Sequence, residues 1–450
     1  MYVAKDQKTV HHLIANEGCA NPSNATARLQ VLVNGVWLPI SVIKSGWVNN
    51  QPGCPVSQLG KKDSLAWADV YLDPGTVYRW FFTGEVNIFG HDGQGHGISA
   101  SATLPKPVPP APIPISLPVA TGKITFDNIL ENIDGVAQAA YDSVQSVYAA
   151  NPVPPAINST TWIGPNTPVV GTTAPDQLFA KAMRLWAGFN QPKFIASFYF
   201  DTQDEPAAEV QVVKWTTDNN IQYPKGVDYV RGECPGPGLN GNPLGQCYNA
   251  NSGVIDNLGD AIGIFGVPDL DYSQLPTSAI WAGNIQTHEF THMVQGAQFL
   301  GGGYQGPTNN YQHVTPCWLQ EGMANFAGFG LMATFQEYLK FRRGEALHRK
   351  AGNGLEPPKD LATISNYLSL QGLPECESTY SWGYATGVLV MEALSAIGGA
   401  QSTMALYTEE ARGNSFTEAF KLVYGVSWDY AQPILAQVLA KDYLLPSMNG

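Results

Sequence analysis

His288-Glu289-Phe290-Thr291-His292 sets two imidazoles four residues apart with a carboxylate beside the first. On a helix four residues are a little over one turn, so both imidazoles project from one face. Two neutral imidazoles at that spacing can hold Zn2+ at ~2.0–2.1 Å each. Glu289 is displaced round the helix. It cannot lie over the ion with both histidines, but it can reach a water held there. The chain has 8 His and 17 Glu in 450 residues. Chance would produce the pattern in roughly half a percent of such chains, so its context decides its meaning. The flanks, Ala279-Ile280-Trp281 and Met293-Val294, support a helix, about Ser278–Leu300, with no Lys or Arg and only one acid. Two surface histidines beside a solvated glutamate would be the plainer reading, and the scarcity of charge on this stretch counts against it.

A catalytic zinc needs a third protein ligand and an open fourth position. One zinc-site variant has glycine three residues after the second His and a ligand three further on. Gln295 and Gln298 stand there instead. Glu321, in Trp318-Leu319-Gln320-Glu321-Gly322-Met323-Ala324-Asn325, lies 29 residues after His292. That is enough chain for a loop and a returning helix. It is the only acid between Glu289 and Glu337, and Phe326, Phe329, Leu331 and Met332 make its surroundings apolar. A buried carboxylate without a partner costs several kcal/mol, and a metal would compensate it. Asn325, one turn after Glu321, or Gln295 is placed to orient a ligating imidazole.

These residues resemble the gluzincin zinc metallopeptidases, the group of thermolysin, aminopeptidase N and peptidase MA-like secreted proteins. The likeness covers about residues 120–450. Aminopeptidase-N-type members carry Trp-Leu-Asn-Glu-Gly at the third ligand, and this chain has Gln320 in place of the Asn. Tyr380-Ser381-Trp382-Gly383 matches their Tyr-x-x-Gly, and Phe416–Phe420 with Tyr424-Gly425-Val426 is similar to their helical end. The resemblance implies that His288, His292 and Glu321 are the zinc ligands. It implies that Glu289 is the general base, taking a proton from the zinc-activated water and returning it to the leaving amine. Tyr380 would donate to the developing oxyanion, with Tyr384 as the nearest substitute. His313, in a loop, is read as solvated rather than as a further donor. The Gly-x-Met-Glu-Asn segment with which aminopeptidases hold a substrate amine is absent. Its place holds the apolar Ala261–Val267, an expected edge strand that could pair with an extended peptide. An endopeptidase is therefore favoured.

The rest of the chain is read as what positions these groups. The net charge is −13, from 24 Lys+Arg and 37 Asp+Glu, and charged residues are only 14%. That argues against a nucleic-acid backbone or an anionic membrane as partner, and no apolar run nears the ~20 residues of a membrane span. Six cysteines without a Cys-x-x-Cys pair suit disulfides and an extracellular or cell-surface location. Lys5, Asp6, Lys8, His11 and His12 interrupt the start, so a secretory signal would already have been removed. Asn24-Ala25-Thr26 and Asn158-Ser159-Thr160 fit a glycosylation pattern that is common by chance.

Residues 1–103 read as a β-sandwich module of unknown role. Leu29–Ile40 forms a hairpin about Asn34-Gly35, and Leu65–Phe82 repeats the theme about Asp73-Pro74-Gly75. Phe89–Gly97, with His91, Asp92 and His96, reads as a tight turn between β-strands rather than a metal loop. Seven prolines in residues 104–118 predict an extended linker over 104–119. Residues 120–450 are then the catalytic domain. A helical face begins at Phe126 with Asp127 near its start. Lys193–Phe200 and Ala261–Val267 are strands, and the last half is mostly helical, with one long helix over Trp318–Arg343. The expected fold is α+β, a β-sandwich followed by a thermolysin-like domain. Cys234–Cys247 would close a loop, Cys19 could pair with Cys54, and Cys317–Cys376 would clamp the third-ligand helix to the tyrosine segment.

The function expected is that of a secreted zinc-dependent metallopeptidase acting on a peptide or protein substrate. The competitors are a zinc hydrolase of a non-peptide bond and a surface-binding or adhesion protein whose zinc site is inactive or structural.

Overall fold

A computed structural model describes residues 111–449 apart from 168–174, 220–225, 235–246, 248, 255–258, 268–283, 301–314, 333, 349–353 and 371–378; before residue 111 it describes Gly35 and the strands named below. The architecture is mixed α and β. The chain divides into two compact units, Met1–Pro109 with Gly301–Gln305, and Pro110–Leu300 with Gly306–Gly450.

The first unit holds β1 (Tyr2–Val3), β2 (Thr9–Ala15), β3 (Asn21–Val33), β4 (Val36–Val42), β5 (Lys44–Trp47), β6 (Asp63–Asp69), β7 (Val77–Ile88), β8 (His91–Ile98) and β9 (Ala102–Thr103). They form two antiparallel sheets, one in the order β1-β2-β6-β5 and one in the order β4-β3-β7-β8 with β9 beside β7. The Asn34-Gly35 hairpin forms as read. Val33 pairs with Val36, and Gly35 has φ +81°, the positive φ that a two-residue turn requires. Two other readings are corrected. β6 and β7 are not a hairpin, because they lie in different sheets. Of Phe89–Gly97, read as a turn, the part from His91 on is instead strand, His91–Ile98 pairing along β7, while Phe89 and Gly90 lie outside the described residues. Alternation shows that a strand exists but not which strand it meets.

The second unit begins with α1 (Ile133–Ala150), β10 (Asn158–Ile163), α2 (Pro175–Leu185), β11 (Phe194–Phe200), α3 (Glu205–Asp218), α4 (Gly226–Glu233), β12 (Ala250–Val254) and β13 (Asp260–Gly266). Then come α5 (Asn284–Gln298), α6 (Cys317–Met332), α7 (Phe335–His348), α8 (Leu361–Ser369), a π-helical turn (Gly383–Gly387), α9 (Val388–Gly398), α10 (Gln401–Ala411), α11 (Phe416–Tyr424), α12 (Trp428–Asp442) and α13 (Pro446–Asn449). Residues 111–119 are bound to this unit. Val119 N–H donates to the Val423 carbonyl at 2.8 Å, and Arg412 donates to the Ala111 carbonyl at 2.8 Å.

The sheet runs β10-β11-β13-β12, with the first three parallel and β12 antiparallel to β13. β11 is apolar apart from Ser197 and the Tyr199 hydroxyl because both faces are covered. Ala196, Phe198 and Phe200 pack with Ala208, Val212 and Val230 of α3 and α4, while Ile195 and Tyr199 pack with the cluster that includes Phe290 and Met293 of α5. Burial of a side chain such as Phe290 is worth roughly 1.5–3 kcal/mol, and this packing holds α5 on the sheet. The expected edge strand is corrected. β13 is interior, and β12 is the edge beside α5.

Helix boundaries also differ from expectation. α1 begins at Ile133, not near Phe126, and Asp127 does not cap it; its carboxylate accepts from the Tyr430 hydroxyl. The single helix over Trp318–Arg343 is two, α6 and α7. Thr334 and Glu337 exchange hydrogen bonds as a capping box, which starts a new helix. Cys234 and Cys247 form a disulfide. Cys19, Cys54, Cys376 and the Cys317 side chain lie outside the described residues, as does His313.

Candidate metal centre

α5 brings the His-Glu-x-x-His residues into the interior. His288, Glu289 and His292 are 8%, 6% and 6% exposed. Thr291, on another face, accepts the Trp186 indole N–H at 3.0 Å, which fixes the rotation of the helix. α6 delivers Glu321, 2% exposed. The backbone there packs without side chains between. A Cβ on Gly322 would lie 2.4 Å from the Gly387 carbonyl carbon, and one on Gly387 would lie 2.4 Å from the Trp318 oxygen. Gly322, the residue after Glu321, is glycine because α6 and the π-helical turn touch at this point. Trp318, fully buried, stacks on Trp428 at 5.5 Å between ring centroids and anchors the start of α6.

His288 Nε2 and His292 Nε2 are 3.0 Å apart, and each is 3.2 Å from Glu321 Oε2. A tetrahedral ion with bonds of ~2.0–2.1 Å sets its ligand atoms roughly 3.3 Å apart. The three atoms therefore outline one face of such a site.

The partners of the opposite ring nitrogens fix the protons. His288 Nδ1 lies 2.8 Å from Asn325 Oδ1, and His292 Nδ1 lies 2.8 Å from Gln295 Oε1. Asn325 Nδ2 donates to the Tyr384 carbonyl at 3.1 Å, and Gln295 Nε2 donates to the Gln320 carbonyl at 3.0 Å. A carbonyl only accepts, so each amide must turn its oxygen to the histidine. Both Nδ1 atoms then carry the proton, and both neutral rings aim Nε2 lone pairs at one point. Two lone pairs 3.0 Å apart beside a carboxylate repel unless a cation joins them. The donor set fits zinc. Asn325 and Gln295 each hold one of the two rings.

The buried carboxylate and the His292 ring shift one another's pKa. Burial alone would lower the His292 pKa, but the Glu321 carboxylate overrides it and raises His292 to about 9. Burial alone would raise Glu321, and His292 and His288 instead hold it well below the usual carboxylate range.

Glu289 shares the buried face of α5, and its backbone carbonyl accepts from the Ser252 hydroxyl of β12 at 2.7 Å. Tyr380 is brought to the centre too, but its hydroxyl donates to Glu321 Oε1. Tyr384 stacks on His288, 5.7 Å between centroids and 2° between planes. The π-helical turn that carries Tyr384 also brings Gly387 against α6. Such widened turns recur at functional sites.

Sequence reading missed Glu233. It ends α4 and is 4% exposed; burial, with the charge of Glu289 added, raises it to about 9. Its neighbour Cys234 is disulfide-bonded, and that adjacency was the only hint in the sequence. Among the described residues no single helix is long and apolar enough to cross a membrane. No family model, no curated protein and no solved structure matches this chain.

Proposed function

We propose that the chain is a zinc-dependent metallopeptidase. One observation carries the reading. Two imidazoles locked in the Nδ1–H form converge with one carboxylate oxygen, next to a second carboxylate, Glu289, that is not among the three. His288, His292 and Glu321 would hold the ion. Bound zinc would supply Lewis-acid polarisation of a carbonyl and an acidified water. Glu289 would take the proton of the attacking water and return it to the leaving amine. Tyr380 is the donor that the gluzincin likeness assigns to the oxyanion. Its proton is engaged by Glu321 here, so that role requires an exchange of partners.

β12 supports an extended peptide as substrate. It is an edge strand against α5, tied to it through Ser252 and Glu289, and an edge strand can pair with a further chain. A peptide paired there, extending past its ends beside α5, is the substrate we favour, and with it an endopeptidase. We read the two sheets of the first unit as the layers of a β-sandwich, residues 104–119 as the segment joining it to the catalytic part, and the protein as secreted. The Cys234–Cys247 disulfide supports the last.

The test is Glu289→Gln beside the wild-type chain on casein and a quenched fluorescent peptide, with metal content measured in both. The expected result is unchanged zinc and hydrolysis slower by about 10²–10⁴-fold, the usual worth of a positioned general base. Zinc lost with Glu289, or hydrolysis that survives its removal, would contradict the assignment.

A further inference from the structure

Glu321 offers two oxygens, and the structure treats them differently. Oε2 is 3.2 Å from both His Nε2 atoms, while Oε1 accepts the hydroxyl proton of Tyr380. A carboxylate that binds zinc through both oxygens fills the position that a catalytic site must leave open. Something must therefore hold the second oxygen away.

We propose that Tyr380 is a positioning residue that keeps Glu321 a one-oxygen ligand and so preserves the open coordination position. The inference rests on the metal reading above. Three features make Tyr380 suited to the task. Its hydroxyl is a single-proton donor, so a proton given to Oε1 fixes that oxygen as an acceptor of a hydrogen bond. Its carbonyl accepts from Gly383 N–H at 2.9 Å, which ties it to the start of the π-helical turn. The far end of that turn, Gly387, meets Gly322 backbone to backbone, one residue from Glu321. The phenol and the carboxylate it restrains are thus mounted on two elements in direct contact, and the geometry between them is fixed at both ends. This role differs from stabilising an oxyanion. It is exerted on a ligand, before any substrate arrives, and it is visible without turnover.

The test is cobalt(II) substitution of Tyr380→Phe, with Tyr384→Phe as the control that removes a neighbouring phenol without touching Glu321 Oε1. Cobalt absorbs strongly in the visible when four-coordinate and weakly when five- or six-coordinate. Wild type and Tyr384→Phe should show the strong bands. Tyr380→Phe should bind one cobalt per chain with a loss of band intensity, as Oε1 joins the ion. An unchanged spectrum in Tyr380→Phe, or an equal loss in Tyr384→Phe, would overturn the proposal. So would Tyr380→Phe that keeps its fold by circular dichroism yet binds no cobalt, since the phenol would then hold the ligand as a whole. Should Tyr380→Phe fail to fold, X-ray absorption of the zinc-loaded wild-type chain decides. One carboxylate oxygen at the zinc is expected, and two would refute the proposal. A wild-type chain that takes up no metal would instead remove the metal reading itself.

Discussion

Two buried ionic clusters lie in the second unit, and they solve the same problem in opposite ways. Around Arg342, 1% exposed, Glu392 accepts from Nε at 2.6 Å and from Nη2 at 2.7 Å, Asp442 accepts from Nη2, and the Tyr338 hydroxyl donates to Glu392 at 2.6 Å. That cluster brings its own cation, a guanidinium that cannot leave. The α5–α6 cluster has a carboxylate and two imidazoles, and Asn325 and Gln295 accept at the two Nδ1 atoms so that both Nε2 atoms face Glu321. Among the described residues no Lys or Arg pairs with Glu321. A buried carboxylate pair held by a fixed guanidinium reads as architecture, and a buried carboxylate that faces two imidazole Nε2 atoms reads as a candidate binding site.

The contrast can be broken most forcefully at the Arg342 cluster. Arg342→Met should leave Glu392 and Asp442 buried without their cation and destabilise the chain by about 3–5 kcal/mol. Chemical denaturation of the metal-free protein measures this, and added zinc should restore none of the loss. The α5–α6 cluster should respond in the reverse sense, with His292→Ala costing the metal-free protein less and removing the stabilisation that zinc gives. Next in size is the contact that sets Glu321. Gly322→Ala forces a Cβ to within 2.4 Å of the Gly387 backbone. Overpacking of this kind costs about 1–3 kcal/mol, and zinc affinity should fall with it, as read by chelator competition. Smaller still is the loss of one imidazole partner. Asn325→Leu or Gln295→Leu should weaken zinc about 10–100-fold with little change in the thermal midpoint of the metal-free form.

The pH dependence is a separate effect, on the order of a few kcal/mol by the size of the His292 shift. His292 in the metal-free protein titrates at about 9 against an ordinary 6.5. Its raised pKa stabilises the fold fully below about 6.5, and that contribution is lost as pH rises through about 9. Zinc competes with the same proton, so its apparent affinity should strengthen over the same interval. Denaturation midpoints of metal-free protein from pH 6 to pH 10 should fall in wild type and stay flat, from this source, in His292→Ala.

The centre was legible in the sequence to the extent that it is local. His288, Glu289 and His292 share one turn of helix, and Glu321 stands out because no other acid lies near it in the chain. Asn325 and Gln295 were legible as candidates by helical spacing, and the structure uses both. The bond from Tyr380 to Glu321 joins residues 59 apart and is not encoded in any spacing. Glu233 is hidden for the same reason. The fold was legible where strands or helices announce themselves, as in Phe194–Phe200. It was not where pairing is long-range. β12, Ala-Asn-Ser-Gly-Val, has little strand propensity and owes its place to β13. The break between α6 and α7 did have a signal, Thr334-x-x-Glu337, masked by the apolar run before it.

The central claim is that the α5–α6 cluster is completed by a metal ion. Elemental analysis of the purified chain, beside His288→Ala and Glu321→Ala, tests it most directly. The account predicts about one zinc per chain in wild type, as three convergent protein ligands require, and none in either variant. Zinc retained without Glu321, or a folded wild-type chain that takes up none from a zinc-containing buffer, would contradict it.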